Sequence, residues 1–278
     1  VAREENAPLH RLCRYVFKFF EMVIKDNSKL GALLAEHMEL FMAQLSANVG
    51  ARLTLIEMFN NNLPLLQELP LHYVDAFVAE LRRHPRDPQL LGFLTAVCSA
   101  GDTPVYANQN RVLDLLERNR QLLLLETRYN YSTREAQVDI GEPAGGDGAH
   151  RECWLSIGEF VRAPDGGGGG GERHDAHADV LGHVEERYRF PYNPAHVRLI
   201  EYFKEELSLL YFMSINNQRA VRFLAHGSGT FPAFLEEDEV LGCMMNRQLS
   251  GTIRAAYTDL MFLWIQRDLE RGARIGKK

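Results

Sequence analysis

YVDAFVAELRRHPRDPQLLGFLTAVC, residues Tyr73 to Cys98, reads as two helices and the turn between them. Val74, Phe77, Val78 and Leu81 recur at three- and four-residue steps, which places them on one side of a helix. His84-Pro85-Arg86-Asp87-Pro88 is a turn, because both prolines oppose a continuous helix there. Leu90, Leu91, Leu94, Val97 and Cys98 then resume the helical spacing, which ends around Gly101. Two short helices joined by a short loop bury their apolar sides only against their neighbours, and that is the repeating element of a helical solenoid.

The same alternation extends towards the N-terminus. Leu9 to Lys25 is amphipathic, with Leu12, Val16, Phe19, Phe20 and Val23 on one face. Asn27 and Ser28 offer an N-cap for a second helix to about Val49, its inner side formed by Leu30, Leu33, Leu34, Met38, Phe41, Met42 and Leu45. Gly50 ends it. Leu53 to Phe59 is a short helix that Asn60-Asn61-Asn62 breaks, and Pro64 and Pro70 punctuate the stretch between that break and Tyr73.

Beyond Gly101, Asn108 to Leu116 and Arg120 to Leu125 read as two further helices. Four more cover Val197 to Met213, Asn216 to Ala225, Pro232 to Asn246 and Ser250 to Leu269. Asn193 and Pro194 suit the cap and first position of that second series. The expected fold is all-α, an armadillo-like solenoid, although no strict residue-level repeat is present. Its expected parts are an array over 1–129, a flexible insert over 130–193, and a second array over 194–270. Within the insert, residues 142–148 and the six glycines Gly166 to Gly171 cannot support regular structure. Cys153-Trp154-Leu155-Ser156-Ile157 is the one plausible strand or docked segment.

The formal net charge of −6 over 278 residues argues against a general nucleic-acid binder. No window of 18 apolar residues exists, so this segment is not expected to be membrane-embedded. Val1 opens the chain without a methionine and without a signal-peptide pattern, as expected of a piece of a longer polypeptide. Cys13, Cys98, Cys153 and Cys243 are widely spaced, which predicts free thiols in helical cores in a reducing compartment.

His174, His177, Asp179 and His183 form the most metal-like stretch, but they follow a polyglycine run that offers no rigid support for a site. A solvated linker is the reading preferred there, so no metal is expected. The glycine runs lack the ending and context of a phosphate loop, and no cofactor is expected either. His226-Gly227-Ser228-Gly229 reads as a glycine helix cap rather than a nucleophile turn. No catalytic constellation stands out, and the chain is not expected to be an enzyme. At 100° per residue, Arg11, Arg14, Lys18 and Lys25 fall within about 60° of one another, opposite Val16 and Val23. In an acidic chain such a stripe points to an anionic partner such as a phosphate group, against the alternatives of a solvated face or ion pairing with a neighbouring helix.

From Arg11-Leu12-Cys13 onward the chain resembles the inositol trisphosphate receptor family, in the homology domain that those receptors share with ryanodine receptors. The family has R-L-C, a helix, then Y-R-K-N; here Ile24-Lys25-Asp26-Asn27 stands at the second motif. Asn60-Asn61-Asn62 with Leu65-Leu66, Asp75-Ala76-Phe77-Val78 and Phe93-Leu94-Thr95-Ala96-Val97-Cys98 resemble L-L-H-N-N-x-x-L-L, D-T-F-V and Y-L-S-D-L-C. Asn108-Gln109, Leu122 to Thr127, Trp154-Leu155, Leu209-Leu210 to Ala220-Val221 and Arg254-Ala255 continue the order. Individually these motifs are short, and their unbroken order from about Leu9 to Arg267 carries the resemblance.

The resemblance implies a cytosolic helical segment of a tetrameric, ligand-gated calcium-release channel of an endoplasmic reticulum-like membrane. Its partners would be neighbouring domains and subunits, with an inositol phosphate reached through an upstream half-site and calcium as the permeant ion. In the family Y-R-K contacts ligand phosphates. Here only Lys25 keeps that charge, and Asp26 opposes it. Two other readings stand beside this one: an unrelated armadillo-type protein-interaction scaffold, and a metal-dependent enzyme built around His174 and His177.

Overall fold

The computed structural model describes residues 7–47, 49–141, 153–160, 194–227, 233–247 and 249–275. The described chain is mostly helical and divides into two compact units. The first comprises Val1–Leu123 with Ser208–Ala220, and the second Leu124–Leu207 with Val221–Lys278.

The first unit begins with α1 (Ala7–Ile24), α2 (Ser28–Ala35), α3 (Met38–Met42), a 3-10 turn at Leu45–Ala47 and α4 (Ala51–Phe59). It continues through α5 (Leu63–Glu68), α6 (Leu71–Arg83), α7 (Pro88–Cys98), a two-residue pairing of β1 (Ser99–Ala100) with β2 (Thr103–Pro104), and α8 (Tyr106–Leu123). Asn27 caps α2 as expected, its side chain accepting from the Leu30 amide at 3.2 Å. The single long helix expected from Ser28 to Val49 is broken, because His37 leaves the helical region at φ −109°. The two helices expected around Asn108 and Arg120 are instead one, kinked at Asn119.

The pair that decides the fold is present. Asp87 accepts from the Gln89 amide at 3.1 Å and Pro88 opens α7, a proline where no intrahelical donor is needed. α6 packs on α7 and α8, and α4 packs on α1, α2 and α7. Phe77 stacks on Phe93, and Phe59 meets Phe93 edge-on, filling the space between these helices. Several polar groups buried there are hydrogen-bonded. Asn108 donates to the carbonyls of Leu66 and Val97, both at 3.0 Å, tying α8 to α5 and α7. Buried Arg52 meets Asp87 at 2.5 Å and donates to the Leu45 carbonyl at 2.9 Å.

The second unit holds an antiparallel sheet in the order β3 (Thr127–Asn130), β4 (Glu135–Asp139), β5 (Trp154–Ser156), followed by α9 (Ile157–Phe160). The sequence pointed to Cys153–Ile157 as a strand or docked segment, and Trp154–Ser156 is a strand; the β3–β4 hairpin was not expected. Arg128 lies 3.9 Å over the Trp154 ring, and Asp139 accepts from the amides of Gly141 and Cys153 at 2.8 Å each. Four helices complete the described chain: α10 (Pro194–Ser214), α11 (Gln218–His226), α12 (Glu237–Met245) and α13 (Gly251–Ile275). α12 packs on α13 and against β3 and β4. Gly227, at φ 71°, returns its amide to the Phe223 carbonyl as a helix cap, which is the role the sequence assigned to it. Ser228, Gly229, the Gly166–Gly171 run and His174, His177, Asp179 and His183 lie outside the described residues.

All four cysteines are free. Cys98 and Cys243 are buried in helices, whereas Cys13 is half-buried and Cys153 is exposed, so helical cores account for only two of them. Among the described residues no helix is long and apolar enough to cross a membrane.

Candidate anion-binding groove

α1 carries the candidate residues and docks through a face other than its most apolar one. Of the expected inward face, Leu12, Val16, Phe19 and Val23 are exposed and Phe20 alone is half-buried; Ile24 is buried, and Cys13 and Phe17 are half-buried. Phe17 and Phe20 both meet Phe41 edge-on. The Thr54 hydroxyl, fully buried, donates to the Phe17 carbonyl at 3.1 Å and fixes α1 against α4. At the other end of the contact, His10 Nε2 lies 3.1 Å from the Ala47 carbonyl.

This rotation brings Arg11, Arg14, Tyr15, Lys18 and Glu21 against Val49, Gly50 and Leu53 at the start of α4. Together they line a groove of about 450 Å³. Gly50 makes the close approach possible. It precedes α4 at φ 95°, a conformation that side chains disfavour, and a Cβ there would touch Phe17 Cβ at 3.4 Å.

Three of the four expected cations therefore share one groove. Lys25 does not line it; it follows the helix end, and its amide donates to the Glu21 carbonyl at 3.2 Å. Lys18 pairs with Glu21 at 2.7 Å, and its exposure limits that pair to about 0–1 kcal/mol. Arg11 and Arg14 form no ion pair among the described residues. Two unneutralised guanidiniums beside a shallow wall present donors suited to a phosphate or carboxylate.

The wall residues Val49, Gly50 and Leu53 were not foreseen, since nothing in α1 reveals which distant segment it will lie against. Tyr15 and Glu21 were in reach, because both flank the basic stripe on a helical projection. Asp26 has a structural account: it ends α1 at φ 56°, where Asp is tolerated better than most residues. Among the described residues no three His, Cys, Asp or Glu side chains come together as a metal site would need. The second unit has a groove of about 410 Å³ with the opposite character, lined by Glu236, Glu237 and Asp238 beside Tyr131, His226 and Trp264.

The helices that build this groove lie wholly within residues 1–129, which match the RIH domain family model. Over these residues the chain is similar to the RIH domain family. This is the homology domain of inositol trisphosphate and ryanodine receptors, so the resemblance drawn from ordered motifs holds for this part of the chain. The chain is also 26% identical over 157 residues to inositol 1,4,5-trisphosphate receptor-like protein A of Dictyostelium discoideum. That match covers 54% of this chain and 5% of the relative, so the chain corresponds to a small part of the relative's length. Within the matched residues, α1, the Val49–Gly50 turn and Leu53 of α4 supply every groove residue.

Proposed function

We propose that this chain is a cytosolic helical regulatory segment of an inositol trisphosphate receptor-like calcium-release channel, relaying ligand-induced domain motion towards the pore. The observation that carries this reading is the groove of Arg11, Arg14 and Lys18 within a RIH domain. The channel would be tetrameric and sit in an endoplasmic reticulum-like membrane, with calcium as its permeant ion and neighbouring domains and subunits as this segment's partners. The segment itself performs no chemistry.

Its helices would act as levers in an armadillo-like array. The succession from α4 to α8, each helix packed on near neighbours, supports that view, since stacked helix pairs transmit rotation along their length. The groove would hold one phosphate of an inositol phosphate, with an upstream half-site completing the ligand's surroundings. Lys25 and Asp26 stand where the family pattern has two cations, which makes the ligand preference of this chain its own.

Titration calorimetry of the chain with inositol trisphosphate and with more highly phosphorylated inositols tests the site. Saturable binding that weakens as salt rises is expected. Arg11→Glu/Arg14→Glu should weaken it by about tenfold or more, and Lys25→Ala much less, because Lys25 lies outside the groove. Binding that ignores the double variant, or no heat with any inositol phosphate, overturns the assignment.

A further inference from the structure

The groove of about 410 Å³ in the second unit combines carboxylates with aromatic rings. Glu236, Glu237 and Asp238 line it at the start of α12, and all three are exposed. None of them forms an ion pair among the described residues, and no lysine or arginine is among the groove's described lining. The Tyr131 hydroxyl donates to Oε2 of Glu236 at 3.4 Å, which holds that ring beside the carboxylates. Trp264 also lines the groove. It is only 7% exposed, yet its indole N–H has no hydrogen-bond partner, which is uncommon for a buried tryptophan. Met261 and the half-exposed Ile265 add apolar wall. Acidic residues in a first turn favour the helix dipole in any protein. Aromatic walls and an orphaned donor are not needed for that role.

We propose that this groove receives an arginine side chain of a partner peptide. The guanidinium sits among the three carboxylates, and a main-chain carbonyl of the peptide accepts from Trp264. Charge complementarity selects a cation, because the carboxylates have no cationic partner within the chain. The cation is organic. Among the described residues no three His, Cys, Asp or Glu side chains come together as a metal site needs, so the negative charge is spread along the wall rather than focused on one point. A planar guanidinium with five donors spans such a wall better than a compact ammonium does. Arginine also stacks on aromatic faces, which Tyr131 and Trp264 supply, while Met261 and Ile265 suit its methylene stem. The orphaned Trp264 donor selects a peptide over a bare amine, since a peptide brings carbonyl acceptors with it. Anionic lipids and phosphates are repelled by the same carboxylates. Binding here stands whether or not the basic groove of the first unit takes a phosphate.

The probe is a short labelled peptide with one arginine flanked by leucines, followed by fluorescence anisotropy against the whole chain. A twin carries citrulline, which keeps the shape of arginine and removes its charge. The arginine peptide should bind about tenfold more tightly than the citrulline twin, and the gap should shrink as salt rises. Glu236→Gln/Glu237→Gln should bring the two peptides to within about twofold of each other. A role confined to the helix dipole would lower the melting temperature of that variant and leave the ratio of the two affinities intact. Trp264→Phe keeps an aromatic face and removes the donor, and it should weaken both peptides by about threefold. Equal binding of arginine and citrulline peptides, a ratio unmoved by the double variant, binding unmoved by Trp264→Phe, or no binding at all overturns the proposal. So does free argininamide that competes as strongly as the peptide, which would assign the groove to a small guanidinium.

Discussion

The Tyr257 hydroxyl donates to Oε1 of Glu239 at 3.2 Å, and both side chains are fully buried. This carboxyl lies on α12 where that helix packs against β3, β4 and α13. Burial pushes its pKa up from 4.5 to about 8, against the opposing influence of hydrogen bonds from Thr127, Tyr257 and the backbone. The carboxyl is therefore protonated in the folded protein at neutral pH.

A raised pKa means the folded state holds a proton that the unfolded state releases. The stabilisation is complete below about pH 4.5, declines as pH rises, and is lost above about pH 8. Urea unfolding followed by tryptophan fluorescence reports this unit, because Trp154 and Trp264 both belong to it. Its midpoint should fall between pH 5 and 8, and Glu239→Gln, which mimics the protonated carboxyl, should flatten the slope.

Arg52 and Asp87 form a close buried ion pair in the first unit, and Asp87 also caps α7. Asp87→Ala removes the cap and leaves the buried guanidinium with only the longer contact to Glu80 at 3.9 Å. Denaturant melts should show a loss of about 3–5 kcal/mol, and Arg52→Met combined with Asp87→Ala should recover part of it.

Gly50 is held at φ 95°. Gly50→Ala should cost about 1–2 kcal/mol in thermal or denaturant unfolding. Gly50→Asn should cost less, since Asn accepts positive φ more readily. Both variants add side-chain atoms to the wall of the basic groove and should weaken inositol phosphate binding beyond their effect on stability.

Asp26 places a carboxylate next to Lys25 at the end of α1. Asp26→Asn keeps a residue that tolerates φ 56° and removes the negative charge. Affinity for inositol phosphates in the titration should rise by about two- to fivefold, shrinking at high salt as solvent ions screen the change.

The sequence made Tyr73–Cys98 legible because the two prolines between His84 and Pro88 mark the turn and the apolar steps on either side are regular. Asn27 and Gly227 were equally readable as caps. Residues 28–49 were less so. Their apolar side chains keep helical spacing across His37 although the backbone turns there, and spacing does not register a change of direction. The most instructive difference is α1. Of the expected stripe Leu12, Val16, Phe19, Phe20 and Val23, only Phe20 docks, beside Phe17 and Ile24, because Phe41 and Thr54 meet that side. A one-dimensional pattern ranks faces by hydrophobicity and cannot name the partner. The hairpin was hidden for a related reason: its strands are rich in polar residues, and Arg128 is held by Trp154 and Gln137 rather than by an apolar alternation. Arg11, Arg14 and Lys18 were found from charge spacing alone, whereas the wall at Gly50 required the fold.

The channel reading is tested most directly by calcium release from the stores of permeabilised cells that express the full-length parent polypeptide. Inositol trisphosphate should release stored calcium in a dose-dependent way, and Arg11→Glu/Arg14→Glu should shift the half-maximal dose upward by about tenfold. A parent that is expressed and folded but releases no calcium, or releases it at the same dose with the groove reversed in charge, would contradict the account.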